Sequence, residues 1–399
     1  MRLLSITAQK TDSTGSGVYL SELVKGFAAQ GHQQAVVAGS YREDRIVMPD
    51  GVEVYPVYFN SDKLPFPIVG MSDEMPSEST RYCDMTPEMV RQFERAFLAV
   101  IEPVVRTFRP DMILCHHLYL HTARVRERFP GVVVCGFCHN TDPRQMQKTD
   151  LRREYIAGQI RKLERIFVPQ EAQAEGVVEI FHADRKIIRQ LGMGYNHRIF
   201  HCKKQRESAE GIQLVFAGKI AQKKGVMSLI RSLDFLTYGE DELRLCLAGG
   251  AGNEEEYRQI QALARTCRYP VEFAGRLSQE QLAQVYCQSD VFVLPSFFDG
   301  LPLTVIEALA CGDKVVVTDL PGIQKWLDEM APGADVRYVP LPELKNTDEP
   351  VEKSLPGFER RLARAIDESI QSPAGKTADM SRISWEGICR AVICEADCI

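Results

Sequence analysis

Lys219 and Lys224 share one short loop, Asp299 closes another just before Gly300, and Glu307 follows on a helical segment. Each side chain suits one part of a phosphorylated sugar ligand. Lysines neutralise a diphosphate as point charges, with less demand on geometry than arginine. A carboxylate such as Glu307 accepts two neighbouring hydroxyls at once, as a ribose diol presents them. Asp299 stands where it can meet sugar hydroxyls on the far side of the phosphate. The segment 302–311 adds backbone N–H groups near Leu303 and Thr304, whose partial positive charge at a helix start can hold a phosphate. Glu307, four residues after Leu303, falls on the same side of that helix and is the only charged side chain between Gly300 and Gly312. In the first half of the chain, His139 ends the apolar run 132–138, where it can hydrogen-bond a sugar or shield a developing charge.

Strands and helices must bring these residues together. Residues 291–319 read VFVLPSFFDGLPLTVIEALACGDKVVVTD. Two apolar runs, 291–294 and the β-branched 315–318, flank a loop at 295–300 and a helix at 302–311. Pro in the first helical turn and Gly312 past the end punctuate that helix. The spacing predicts a parallel βαβ unit, whose ligands sit beyond the strand carboxyl ends. A strand at 212–217 likewise feeds the loop 218–225, with Lys219 and Lys224, and then a helix from about Gly225. Strands at 243–248 and 271–274 lead into Gly249-Gly250 and into Gly275-Arg276-Leu277 of the same sheet. The first half opens with a strand at 2–7, the loop TDSTGSG, a helix at about 18–30 and a second strand at 35–38. Gly15 and Gly17 there can let backbone approach a phosphate or sugar; a mere tight turn explains them as well.

Taken singly, each of these residues has an ordinary explanation: a solvated loop lysine, a turn aspartate, a half-exposed helix glutamate, a loop histidine bonded to backbone, an Arg276 capping a strand end. Composition narrows the field. With 399 residues the chain has room for two domains, each with its own core. Charged residues at 26% and hydrophobic ones at 45% are ordinary for a globular protein. A net charge of −6 leaves no footprint for nucleic acid. No apolar run reaches the ~18 residues of a membrane span, and MRLLSITAQK reads as a first strand rather than a secretory signal. A cytoplasmic location is therefore expected. The 12 cysteines are scattered, several within apolar runs (Cys115, Cys246, Cys311). Cys135-Gly136-Phe137-Cys138-His139 has the spacing of a c-type haem attachment, but it begins inside a strand, and no second pair completes a zinc site. Residues 60–87, rich in Pro, Met and Ser, are expected to loop beside an acceptor pocket; Arg144 is a candidate for an anionic acceptor group. The charged stretch 201–211 is expected to link two domains, and helices are expected at 88–108, 358–370 and 385–394.

The 291–319 stretch closely resembles the signature of the family 4 glycosyltransferases: Pro-Ser, an acid followed by Gly and Pro-Leu, then Glu-Ala, a small residue, Gly and a Val-rich strand ending Thr-Asp. The family normally has Glu where Asp299 stands, and Arg where Lys219 stands; Lys224 matches. The resemblance implies an α/β protein of GT-B architecture, two doubly wound Rossmann-like domains facing across a cleft. The first domain (1–200, with the last helix, about 383–399, crossing back onto it) would take the acceptor. The second (205–382) would hold the donor, a nucleoside diphosphate sugar, with UDP the family's commonest nucleotide. It further implies a retaining transfer, in which His139 and Asp299 position the sugar, Glu307 holds the ribose, and Lys219, Lys224 and the helix start stabilise the diphosphate. Gly17, Gly250, Arg276, Leu277, Gly300, Leu301, Leu303 and Thr304 would complete the nucleotide-sugar site. No Asp-x-Asp occurs in the chain, so no metal is expected. The acceptor is open: a small molecule, a glycan or a lipid-linked sugar, with peripheral membrane contact compatible with it. A sugar-nucleotide epimerase, a phosphorylase or a non-catalytic sugar-nucleotide-binding protein would share these features.

Overall fold

Apolar runs alternating with amphipathic segments give βα repeats in both halves of the chain. The computed structural model describes every residue except 13, 72–77, 140, 202–210, 252, 300–301, 346–348, 374–377 and 397–399, and the side chain of 172. The chain divides into two units, Met1–Met193 with Trp385–Ile399, and Gly194–Ser384. The expected linker at 201–211 falls almost wholly outside the described residues.

In the first unit, β1 (Arg2–Thr7), α1 (Gly15–Ala29), β2 (Gln33–Ser40) and β3 (Glu53–Tyr58) precede two short paired strands, β4 (Val69–Gly70) and β5 (Thr80–Arg81). Then come α2 (Pro87–Phe108), β6 (Met112–His116), α3 (Leu120–Arg128), β7 (Val133–Phe137) and α4 (Thr141–Lys148). The unit continues with α5 (Arg153–Ile160), β8 (Arg165–Val168), α6 (Glu171–Phe181) and β9 (Ile188–Gln190). Seven strands form one parallel sheet in the order β3-β2-β1-β6-β7-β8-β9. The order reverses between β1 and β6, and at such a switch point the loops splay apart and leave room for a ligand.

The second unit runs β10 (Ile212–Ala217), α7 (Val226–Ser232), β11 (Leu243–Ala248), α8 (Glu254–Arg265), β12 (Val271–Gly275), α9 (Gln279–Cys287) and β13 (Val291–Leu294). It ends with α10 (Leu303–Ala310), β14 (Lys314–Thr318), α11 (Ile323–Met330), β15 (Val336–Val339) and α12 (Leu355–Gln371). Six of its strands lie parallel as β12-β11-β10-β13-β14-β15, so its switch point falls between β10 and β13; Leu344–Lys345 and Glu349–Pro350 add a short antiparallel pair. The two parallel α/β sheets match the fold class that the sequence implies.

Strand alternation in the first unit sends side chains to two cores. Leu4, Ile6, Ile113, Cys115 and Val134 pack against α2, α3, α5 and α6. Leu3, Met112, Leu114, Cys135 and Phe137 pack against α1 and the last helix, α13 (Trp385–Ala396). Cys135 and Cys138 thus point into different cores as buried free thiols, as core residues rather than haem or zinc ligands would. Among the described cysteines only Cys287 is disulfide-bonded. The segment at 60–87 is less loop-like than its composition predicts, because Leu64, Phe66, Ile68 and Met71 are buried in the first core.

Candidate functional site

In the second unit the loops after β10 and β13 meet at the switch point. Gly225 makes this possible. Its φ is +71°, and a Cβ there would lie 2.0 Å from the Pro295 carbonyl oxygen. Phe297 N–H donates to the Lys223 carbonyl at 3.0 Å, which ties the two loops together. Lys224 Nζ then donates to Asp299 Oδ2 at 2.6 Å, with both side chains about a quarter exposed. Lys219 is exposed and makes no ion pair among the described residues.

Helix α10 starts beside this pair. Pro302 is its N-cap and supplies no side-chain cap. Neither Leu303 nor Thr304 N–H has a protein partner among the described residues, so the first turn keeps its donors for a ligand. Glu307 is 8% exposed and its carboxyl makes no hydrogen bond among the described residues; burial pushes that carboxyl up to about 7. Gly300 and Leu301 lie outside the described residues.

The next two strand ends stack against the same loop. Gly249 has a φ of +151°, and a Cβ would sit 1.7 Å from the Gly218 carbonyl oxygen. Ile220 N–H donates to the Gly250 carbonyl at 3.0 Å, and a Cβ on Gly250 would meet Arg276 Nε at 2.5 Å. Arg276 is exposed and Leu277 half-buried at the end of β12. Lys219, Gly250, Arg276 and Leu277 therefore share one edge, beyond the strand carboxyl ends.

In the first unit, His139 follows β7. The loop expected at 139–144 is instead the start of α4, at Thr141. Pro143 is compatible with that, since a proline in the first helical turn has no hydrogen-bond partner to lose. His139 is half-exposed, with its Nε2 buried and unpartnered. Its ring lies 4.6 Å from that of His117 and 5.6 Å from that of Tyr19, centroid to centroid. Burial and the neighbouring His117 push the imidazole down to about 3. Arg144 is exposed on α4. Gly17 lies inside α1, which begins three residues earlier than the sequence predicts. Thr14 caps it by accepting the Gly17 N–H at 3.0 Å, and the Lys10 carbonyl oxygen fills the space a Cβ would need, at 2.2 Å.

Sequence reasoning passed over three residues here: Ser16, His117 and Asp142. His117 Nδ1 lies 2.6 Å from Asp142 Oδ1, and its Nε2 2.9 Å from Ser16 Oγ. The one available signal was the His116-His117 pair at a strand end. Among the described residues no group of three or more His, Cys, Asp or Glu side chains is arranged to hold a metal ion.

These two parallel α/β units have the fold of the GT-B glycosyltransferases. Sucrose-phosphate synthase from Thermosynechococcus elongatus superposes with a TM-score of 0.59 at 17% identity, covering 98% of this chain and 97% of its own. Anabaena Alr3699/HepE in complex with UDP and glucose does so with a TM-score of 0.56 at 13% identity, covering 98% and 94%. In sequence, residues 14–194 match the glycosyl transferase 4-like domain, and residues 198–334 match the glycosyl transferases group 1 family. The chain belongs to the group 1 glycosyltransferases. It is 27% identical over 184 residues to the alpha-maltose-1-phosphate synthase of Mycobacterium tuberculosis, covering 43% of this chain and 44% of that protein. It is 30% identical over 173 residues to the mannosylfructose-phosphate synthase of Agrobacterium fabrum, covering 40% and 38%. Each match spans less than half the length of the relative.

Proposed function

We propose that the chain is a retaining glycosyltransferase that moves a sugar from a UDP-sugar to an acceptor hydroxyl without a metal ion. One observation carries this reading: the Lys224–Asp299 pair at 2.6 Å lies beside the open amino end of α10, with Glu307 on that helix. Lys219, Lys224 and the N–H groups of Leu303 and Thr304 offset charge as it develops on the departing diphosphate, which is electrostatic catalysis. Glu307 holds the ribose diol, and Asp299 and His139 orient the transferred sugar. The bond from the anomeric carbon to the diphosphate oxygen breaks, and the bond to the acceptor oxygen forms on the same face. The acceptor proton passes to the diphosphate oxygen. The UDP complexes of Anabaena Alr3699/HepE support the choice of nucleotide, and the lysines together with the absence of Asp-x-Asp support metal independence.

The test is release of UDP from a panel of UDP-sugars, with and without acceptor sugars. Lys224→Ala and Glu307→Ala are expected to lower turnover by about 10²-fold or more, and EDTA to leave it unchanged. Loss on chelation with recovery on Mn²⁺ would overturn the metal-free mechanism. A changed sugar nucleotide with no transfer would make the chain an epimerase.

A further inference from the structure

Behind the strand ends of the first unit runs a chain of buried polar groups that the transfer scheme leaves unused. Asp142 is fully buried, and His117 and Ser16 are 3% and 8% exposed. Asp142 Oδ1 faces His117 Nδ1, while Oδ2 accepts the backbone N–H groups of Leu118 and His139, each at 2.9 Å. One carboxylate therefore ties the loop after β6 to the loop after β7. His117 is held at a φ of +75°, a conformation that costs a non-glycine residue, and Thr122 Oγ1 donates to its carbonyl. Burial alone would push the Asp142 carboxyl up. The adjoining His117 ring and the hydrogen bonds from that ring and from Leu118 N–H outweigh it and hold the carboxyl below the ordinary value. An ionised carboxylate only accepts, so His117 carries a proton on Nδ1, and in the neutral ring Nε2 accepts from Ser16 O–H. Gln9 Oε1 lies 3.1 Å from the same Ser16 oxygen, while Gln9 Nε2 has no partner. Turning that amide over lets it donate to Ser16; with Thr14 Oγ1, 3.1 Å from the same oxygen, donating as well, the Ser16 proton is left for His117.

We infer that Asp142 is a positioning residue for the transfer proposed above, and rests on that reading: it sets the tautomer of His117 and holds the backbone that carries His139. Asp142→Asn keeps the shape but has one acceptor oxygen for three donors. With that oxygen kept by the two backbone N–H groups, its NH₂ faces His117 Nδ1 and drives the ring proton to Nε2.

Two measurements on the full chain decide this. In ¹⁵N-histidine NMR, with His117 assigned through His117→Asn, the wild type should show the Nδ1–H form and Asp142→Asn the Nε2–H form. In UDP-sugar turnover, Asp142→Asn should lose about 10²-fold in kcat with the donor KM unchanged. Should Asp142→Asn fail to melt cooperatively, Ser16→Ala takes its place, with a loss of about tenfold in kcat expected. A wild-type His117 in the Nε2–H form, or wild-type kcat in the folded variant tested, overturns the inference. A wild-type chain that turns over no nucleotide sugar sinks the transferase reading instead, and the tautomer measurement still decides the role of Asp142.

Discussion

Glu307 links the candidate donor site to the stability of the fold. Burial pushes its carboxyl from 4.5 up to about 7, so between those values the folded state holds a proton that the unfolded state has released. Its contribution is fully present below pH 4.5 and is lost as pH rises through 7. At 1.36 kcal/mol per pH unit, that is worth up to about 3 kcal/mol. Glu307→Gln removes the titration. We predict that the variant gains about 1–3 kcal/mol over wild type between pH 5 and pH 8, read from urea melts at both values; a difference that does not change with pH would contradict this. Glu307, Lys224 and Asp299 were legible in the sequence because a contiguous motif carries two of them and a short loop the third. Ser16, His117 and Asp142 were not. They come from the first turn of α1, the loop after β6 and the first turn of α4, and meet only once β1, β6 and β7 lie side by side, so no spacing along the chain records their contact.

At the scale of the element, the site depends on strand-end loops that approach one another more closely than a side chain permits. Gly225 and Gly249 have positive φ, and a Cβ on either would lie within 2.0 Å of a carbonyl oxygen. Gly225→Ala and Gly249→Ala should each cost more than about 1 kcal/mol and weaken UDP binding, measured by chemical denaturation and calorimetry. Binding and stability equal to wild type would show that these loops yield freely. Most strands were readable as apolar runs, and α2 and α12 as periodic segments. The start of α4 was not, because Asp142-Pro143 reads equally as a turn. Its helical start is tied down by Asp142, which reaches back to the His139 N–H. The apolar anchors at Leu64, Phe66 and Ile68 were hidden for another reason: they alternate with the period of a strand, but Pro65 and Pro67 stand between them, and such prolines read as loop.

At the scale of the molecule, the end of the chain completes the core of its beginning. Trp385, Ile388, Cys389 and Val392 are buried against Leu3, Tyr19 and Phe27, and Glu395 pairs with both Arg165 and Arg189 at 2.9 Å. Each large apolar side chain buried there contributes about 1.5–3 kcal/mol, against a net stability of about 5–15 kcal/mol for a domain. A chain ending at residue 384 should therefore fail to give a folded first unit, seen as aggregation or as loss of the tyrosine near-UV signal. A soluble, cooperatively melting truncation would refute this. Where the diphosphate binds is decided by a crystal structure with bound UDP. Phosphate oxygens are expected within hydrogen-bond distance of the Leu303 and Thr304 N–H groups, with Lys224 Nζ beside them and the ribose on Glu307. A nucleotide bound elsewhere, with the amino end of α10 unoccupied, would contradict it.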